Sequence, residues 1–239
     1  MYLLPTLIVQ TTQPTWADVQ ARGYLRVGVK DNLPSLAVRS GQGEWSGLEI
    51  DIAHQLAQEL LGDRQAVRFV VLPQRDRLNS FDRVDVVIAQ VTVTNNRRRL
   101  VDFSLPYYTD STVLIARKGK TINQLQGILV LKNSATIAIL QNSYPHLPTI
   151  GVDSYHAGVR ALQSNPHLAL AGDGVILHPW LKDNPDYSTV GAKLAFHSLA
   201  VVMPKGLASA ELRQKVNQAV QKWRETGWLR ERANFWQLP

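Results

Sequence analysis

The sequence has no cysteine, and long apolar runs are missing as well. A chain without cysteine forms no disulfide, has no cysteine nucleophile, and offers no thiolate to zinc or thiol to a lipid anchor. None of its apolar runs approaches the roughly 20 residues that a helix needs to cross a bilayer. With 45% hydrophobic and 19% charged residues, the composition is that of an ordinary globular protein.

The motifs of several enzyme classes are absent too. The sequence contains no His-Glu-x-x-His, no Gly-x-Ser-x-Gly, no phosphate loop and no complete Gly-x-Gly-x-x-Gly. Its six histidines show no metal-binding spacing. We therefore expect no metal, no cofactor and no catalytic residue.

Acidic residues are fewer than basic residues, 19 against 26, which gives a net charge of +7. A basic chain can bind nucleic acid. Here the charges are scattered, the tight cluster is Arg97, Arg98 and Arg99, and no RNA-binding combination of aromatic and basic residues occurs. We expect no nucleic-acid partner, while acidic ligands and an anionic membrane face stay as alternatives.

The apolar start of the chain makes a poor signal peptide. Residues 3–9 are interrupted by Pro5, and no basic residue precedes them. We expect either that a leader has been removed or that the chain belongs to a longer protein.

Short apolar runs alternate with helical patterns along the chain. The patterns predict strands at 25–29, 67–72, 84–89, 112–117, 136–140, 168–171 and 199–203, and helices at 50–61, near 75–81, at 153–162 after an Asp153 N-cap, from Ser209, and at 228–236. Such alternation is typical of parallel sheets covered by helices. Because the rhythm restarts after Tyr108, we expect two α/β lobes.

Polar residues follow the ends of three predicted strands. Thr92, Asn142 and Asp173 each come just after such an end, and open α/β sheets bind ligands at the carboxyl ends of their strands. Arg97 lies a few residues beyond Thr92. A guanidinium beside hydroxyl groups can grip a carboxylate through paired hydrogen bonds. The pattern therefore predicts a single cleft that binds a small anion.

Six segments, in this order, carry a resemblance to a known family. They read LRVGV at 25–29, GLEIDIA at 47–53, VDVVIA at 84–89, Thr-x-x-Arg-x-x-x-Val-Asp-Phe-Ser at 94–104, AGDG at 171–174 and MPKG at 203–206. The chain resembles the periplasmic polar-amino-acid-binding proteins of ABC transporters, family 3 of the solute-binding proteins. The resemblance covers about residues 22–236.

The resemblance implies the type II periplasmic-binding fold. In that α/β fold, two lobes joined by two hinge crossover strands close around a ligand. One lobe would comprise residues 20–107 plus 200–239, and the other residues 112–194. The crossovers would lie near 107–111 and 195–199, and residues 1–19 would form an N-terminal extension.

The resemblance also implies roles for particular residues. Arg97 would clamp the α-carboxylate of an amino acid with help from Thr92, and Asp173 would pair with the α-ammonium. The carbonyls of Ala89 and Gln90 would receive the same ammonium.

Four further residues match less regular positions of the family. The amides of Asn142 and Ser143 would contact the carboxylate, although the family commonly has Gly-Ser or Gly-Thr there. Leu48 would give apolar contact without stacking. Lys30 lies where the family sets side-chain selectivity, and it favours an acidic or neutral ligand over a basic one.

As a function, the resemblance implies an extracytoplasmic, periplasmic monomer that captures an L-amino acid and delivers it to a membrane ABC permease. Two alternatives remain open. One is an enzyme on the same scaffold, similar to cyclohexadienyl dehydratase, which would need a general acid beside the two ligand anchors. The other is a ligand-sensing domain or one fused to a permease.

Overall fold

The computed structural model describes residues 13–132, 134 and 136–239, and the statements below concern these residues. The apolar start at 3–9 and residues 1–12 of the expected N-terminal extension lie outside them. The chain divides into two compact units. Unit 1 comprises residues up to Lys30, Glu49–Leu105 and Ala200–Thr226; unit 2 comprises Asp31–Leu48, Pro106–Leu199 and Gly227–Pro239. The lobe boundaries that the resemblance implies stay a prediction.

Helices and strands alternate through both units. The helices are α1 (Trp16–Arg22), α2 (Leu48–Leu61), α3 (Asn95–Arg98), α4 (Thr136–Ser143), α5 (Tyr155–Ser164), α6 (Gly174–Asp183), α7 (Ala210–Glu225) and α8 (Trp228–Phe235). The strands are β1 (Leu25–Val29), β2 (Asn32–Leu33), β3 (Ala37–Arg39), β4 (Trp45–Ser46), β5 (Val67–Val71), β6 (Val86–Val87), β7 (Asp102–Arg117), β8 (Gly127–Leu131), β9 (Thr149–Val152), β10 (Leu168–Asp173), β11 (Tyr187–Thr189) and β12 (Ala195–Met203).

Unit 1 is built on a mainly parallel sheet. Strand β1 lies between β5 and β6 and runs parallel to both, while β12 pairs antiparallel with β6 through Val202 and Val87. The apolar residues of β1 are buried, as a strand covered on both faces requires. Helix α7 buries the predicted stripe of Leu212, Val216, Val220 and Trp223.

Unit 2 contains a second sheet core. Strands β9, β8 and β10 are parallel neighbours, and β7 runs antiparallel to both β10 and β11. Alternate residues of β7 enter different cores: Val113 and Ile115 pack with Leu162 of α5, whereas Leu114 packs with Leu140 of α4. Helices therefore cover both faces of this sheet. A separate antiparallel sheet, β2–β3–β4, lies within residues 31–48 of the same unit.

Three expectations about elements were wrong. The strand expected at 136–140 is the start of α4, and the strand of this region is the earlier β8. In place of the helix expected near 75–81, the chain forms a 3-10 turn at Gln74–Asp76. Helix α5 is capped by Ser154, whose hydroxyl accepts a hydrogen bond from the Ala157 amide, and not by Asp153.

The long strands β7 and β12 each contribute residues to both units, because the unit boundaries at 105–106 and 199–200 fall inside them. Among the described helices, none combines the length and apolar character that a membrane crossing requires.

Candidate functional site

The predicted ligand-binding residues of unit 1 follow the carboxyl ends of parallel strands. Lys30 comes directly after β1, and Ala89 and Gln90 follow β6. Gly28 pairs with Val87 in the parallel register, and Lys30 and Ala89 each lie two residues further along the chain. We call this region the carboxyl-end edge of unit 1.

Arg97 is held in place by two local hydrogen bonds. It lies in α3, a helix of four residues, whose N-cap Thr94 accepts a hydrogen bond from the Arg97 amide at 3.3 Å. Its guanidinium Nη1 donates to the Thr92 carbonyl at 2.7 Å. Burial lowers the pKa of the Arg97 guanidinium, which nevertheless stays charged at neutral pH. The arrangement brings a partly buried cation next to Thr92, as an anion site needs.

The neighbouring arginines have other surroundings. Arg98 and Arg99 are exposed, and Arg98 lies over the Phe103 ring, 5.9 Å from its centroid. The Thr94-x-x-Arg97 spacing therefore selected Arg97, which is the least exposed of the three arginines.

Gln90 has a backbone conformation that side-chain-bearing residues rarely adopt. Its φ is +51°, in the left-handed region. The buried Glu49 carboxylate accepts a hydrogen bond from the Gln90 amide at 2.6 Å. Glycine adopts such a conformation at the lowest cost, so a glutamine here carries backbone strain.

Arg77 was not among the expected site residues, yet it contacts two of them. Only 8% of it is exposed, and its guanidinium Nη1 donates to the Ala89 carbonyl at 2.6 Å and to the Gln90 carbonyl at 3.2 Å. A third hydrogen bond runs from its Nε to the Gln74 carbonyl at 3.3 Å. The carbonyls expected to receive a ligand ammonium thus already accept bonds from a cation.

Asp173 of unit 2 ends β10 and is the N-cap residue of α6. Its backbone amide donates to the Tyr155 hydroxyl at 3.3 Å. The preceding Gly172 is necessary for this contact, because a Cβ there would lie 2.4 Å from the Tyr155 ring. Close approach of backbone and ring therefore explains the glycine before Asp173.

Asp110 of β7 is a buried acid that contacts the start of the same helix. It is 2% exposed, and its Oδ1 accepts hydrogen bonds from the amides of Ser111, at 2.7 Å, and Val175, at 3.2 Å. Burial, with a further contribution from the Asp173 carboxylate, raises the pKa of Asp110 to about 7 against the lowering effect of these amides. Asp110, a residue of β7, thus caps the N-terminus of α6.

The electrostatic surroundings of Asp173 include a histidine. Burial raises the pKa of Asp173, and the nearby His197 counteracts this. His197 is itself fixed through its Nε2, which lies 2.8 Å from the Thr112 hydroxyl. Burial is also the main reason why the pKa of Tyr155 is raised. A ligand ammonium placed at Asp173 would favour the ionised carboxylate.

Asn142 and Ser143 do not follow a strand. They are exposed and form the last turn of α4. The strand end at 136–140 that supported Asn142 is therefore wrong, while the contact of both amides with a ligand carboxylate, which the resemblance implies, stays a prediction. The chain that leaves β8 instead enters α4 at Thr136, whose amide donates to the Ser134 hydroxyl at 3.1 Å. The residues between β8 and α4, and not Asn142 and Ser143, therefore come just after the carboxyl end of a strand.

Leu48 begins α2 and is fully buried. Its amide donates to the Ser35 carbonyl at 2.9 Å. A contact between Leu48 and ligand stays a prediction.

Sequence reasoning missed Arg77, Asp110, Tyr155 and His197. Asp110 offered a signal, since it interrupts the apolar pattern of a strand that is otherwise buried on both faces. The others contact backbone or side chains far away in sequence, so no local pattern identified them. Among the described residues, no group of three or more histidines and acids could hold a metal ion.

Comparison with known proteins gives a consistent result. A model of the bacterial extracellular solute-binding proteins, family 3, matches residues 25–239. The ABC transporter glutamine-binding protein GlnH of Bacillus subtilis is 24% identical over 236 residues, covering 95% of this chain and 86% of its own. The putative ABC transporter arginine-binding protein 2 of Escherichia coli is 27% identical over 225 residues, which cover 89% of this chain and 90% of that protein.

A solved structure extends the likeness to the fold. The L-cysteine solute receptor of Neisseria gonorrhoeae has a TM-score of 0.74 and 28% identity, and the alignment covers 95% of this chain and 94% of that one. The two-lobed type II fold with its crossover strands is therefore confirmed.

Proposed function

Because the chain belongs to the bacterial extracellular solute-binding proteins of family 3, we propose that it captures an L-amino acid outside the cytoplasm and delivers it to a membrane ABC permease. The proposed ligand has an acidic or neutral polar side chain. Relatives that carry the names of glutamine-, arginine- and cystine-binding proteins support an amino acid as the ligand class.

The observation that carries this proposal is the setting of Arg97. A guanidinium that is half-buried, fixed by the Thr92 carbonyl and placed after a strand end is suited to an α-carboxylate. Asp173 supplies a partly buried carboxylate for the α-ammonium. One fixed cation and one fixed anion together suit a zwitterion better than a simple anion.

The side-chain preference rests on Lys30. It follows β1 at the carboxyl-end edge of unit 1, where a positive charge favours an anionic or neutral group over a cationic one. The ligand would therefore be glutamate, glutamine, aspartate or asparagine rather than lysine or arginine.

The proposed role is binding and not catalysis. A dehydratase would need a general acid, and Asp110 is a buried acid near Asp173 whose pKa is near neutrality. Its Oδ1, however, is occupied by the amides that begin α6, which is a structural role.

A thermal-shift screen of the standard amino acids tests the proposal. A ligand at a hundredfold excess over its Kd stabilises the native state by about 2.7 kcal/mol. For a chain of this size, that corresponds to a rise in Tm of roughly 5–10 °C. We expect such a rise with at least one of the four polar amino acids named above. No shift with any standard amino acid would contradict the proposal.

A further inference from the structure

Gln90 is a strained residue within the candidate site. Its φ of +51° lies in the left-handed region, which only a few per cent of residues other than glycine adopt. Such a conformation persists where the surrounding structure holds it, and it is concentrated at ligand sites. The groups that bind the backbone at Gln90 therefore shape the site.

Two buried side chains of unit 1 bind the Gln90 backbone through its amide and its carbonyl. Glu49, at the start of α2, is fully buried, and its carboxylate accepts a hydrogen bond from the Gln90 amide at 2.6 Å. The Arg77 guanidinium donates to the Gln90 carbonyl at 3.2 Å and to the Ala89 carbonyl at 2.6 Å. Hydrogen bonds to charged groups are stronger than those between neutral groups. We call Glu49 and Arg77 the Gln90 clamp.

Backbone hydrogen bonds anchor the chain on either side of this turn. The Ile88 amide donates to the Gly28 carbonyl of β1 at 2.8 Å, and the Val91 carbonyl accepts from the Ala200 amide of β12 at 3.3 Å. These bonds fix where the turn begins and ends, but they do not fix the φ of Gln90. The Gln90 clamp acts on the two residues between these anchors.

We propose that Glu49 and Arg77 are positioning residues, which hold the Ala89 and Gln90 carbonyls in the orientation that receives a ligand α-ammonium. This inference rests on the proposed function, because it concerns the ammonium contact of the bound amino acid. A carbonyl oxygen has two lone pairs, so a bond from Arg77 does not by itself prevent a second bond from an ammonium. Since every amino acid carries the α-ammonium, the Gln90 clamp acts on affinity and not on the choice of side chain.

The expected effect follows from the backbone preferences of residue 90. Without the Gln90 clamp, a glutamine would leave the left-handed region for most of the time. If roughly one-tenth or less of the molecules keep the binding-competent turn, the apparent Kd rises at least about tenfold. Glycine adopts positive and negative φ about equally, so a glycine there would keep about half of the molecules competent and raise Kd only about twofold.

The test is a double-mutant cycle, measured by titration calorimetry with the amino acid that gives the largest thermal shift. Glu49→Met removes the acceptor of the Gln90 amide and should raise Kd at least about tenfold. In a Gln90→Gly background, the same substitution should raise Kd by at most about threefold. Glu49→Gln keeps an acceptor oxygen, so its Kd should stay within about threefold of the wild-type value.

Two outcomes of this cycle would overturn the proposal. One is an equal rise in Kd for Glu49→Met in the two backgrounds, which a general loss of packing around Glu49 would cause, because that loss does not depend on residue 90. The other is a Glu49→Gln variant that binds as weakly as Glu49→Met. Should Glu49→Met fail to fold, Arg77→Met replaces it in the same cycle, and Arg75→Met, whose side chain is 87% exposed, is the control.

The strain at Gln90 has a separate test that needs no change in the Gln90 clamp. Gln90→Gly should unfold at a higher Tm than Gln90→Ala, because both variants lack the glutamine side chain and only the glycine adopts a φ of +51° without strain. An equal or lower Tm for the glycine variant would contradict the proposal. Binding of no amino acid by the wild type would instead contradict the proposed function.

Discussion

Arg97 differs from Arg98 and Arg99 in what surrounds it. Its amide bonds to the Thr94 hydroxyl, its guanidinium bonds to the Thr92 carbonyl, and its side chain is partly removed from water. A charged hydrogen-bond donor with restricted motion loses little entropy when it binds a carboxylate. These surroundings support our proposal that Arg97, rather than Arg98 or Arg99, contacts the ligand carboxylate.

Replacing Arg97 by glutamine should weaken amino-acid binding by about 2–5 kcal/mol, because the ligand carboxylate would be left without its charged partner. Titration calorimetry with the amino acid that gives the largest thermal shift measures the effect. Arg98→Gln and Arg99→Gln are controls and should change Kd by less than about threefold, since exposed charges contribute little. Equal losses in all three variants would contradict the assignment.

Among the secondary-structure elements, strands could be predicted where apolar runs had clear boundaries. The strand at 25–29 and the stripe of α7 were confirmed, because burial on both faces and helical periodicity leave strong patterns. The run at 136–140 was misread as a strand. Short apolar runs with β-branched residues fit a strand and a buried helix equally well, and here tertiary packing on the Leu114 face of the unit 2 sheet selects the helix.

Within the candidate site too, residues with a clear local pattern could be predicted, whereas residues defined by tertiary contacts could not. Arg97 and Asp173 could be proposed from the sequence because each stands in a recognisable motif after a strand. Arg77 could not, because its role depends on carbonyls 12 and 13 residues away along the chain. For Asn142, the supporting strand boundary at 136–140 was wrong, because boundaries depend on tertiary contacts.

Helix α3 is too short to keep its geometry without its cap. We expect Thr94→Ala to weaken amino-acid binding by roughly tenfold, since loss of an N-cap costs about 0.5–2 kcal/mol and here it also frees the amide of Arg97. Thr94→Ser keeps the hydroxyl and is the control. Calorimetric Kd values that are equal for the alanine and serine variants would contradict this role for the cap.

For the molecule as a whole, two acids of unit 2, the buried Asp110 and the partly buried Asp173, connect stability with pH. The pKa of Asp110 is raised to about 7 and that of Asp173 is raised as well, so the folded state holds protons that the unfolded state releases near its ordinary value of 3.8. A raised folded-state pKa contributes stability that is complete below the unfolded pKa. That contribution disappears as the pH rises through the folded pKa.

Ligand-free protein should accordingly lose Tm between about pH 4 and pH 7, the interval between the unfolded and folded pKa values of Asp110. Asp110→Asn keeps an oxygen for the Ser111 and Val175 amides but cannot ionise, so it should be more stable than wild type at pH 8 by at least about 1 kcal/mol. Thermal unfolding of both proteins across this range measures the difference. Parallel profiles for the two proteins would contradict the link to Asp110.

The central claim is that the chain recognises both charged ends of a free amino acid. It is tested most directly by calorimetric titration of the wild-type protein with the best amino acid from the screen, with its N-acetyl derivative and with its α-carboxamide. We expect one ligand to bind per chain, and we expect either blocked form to bind at least about a hundredfold more weakly, since each loses a charged partner. Equal affinity for the free and blocked forms would contradict the account.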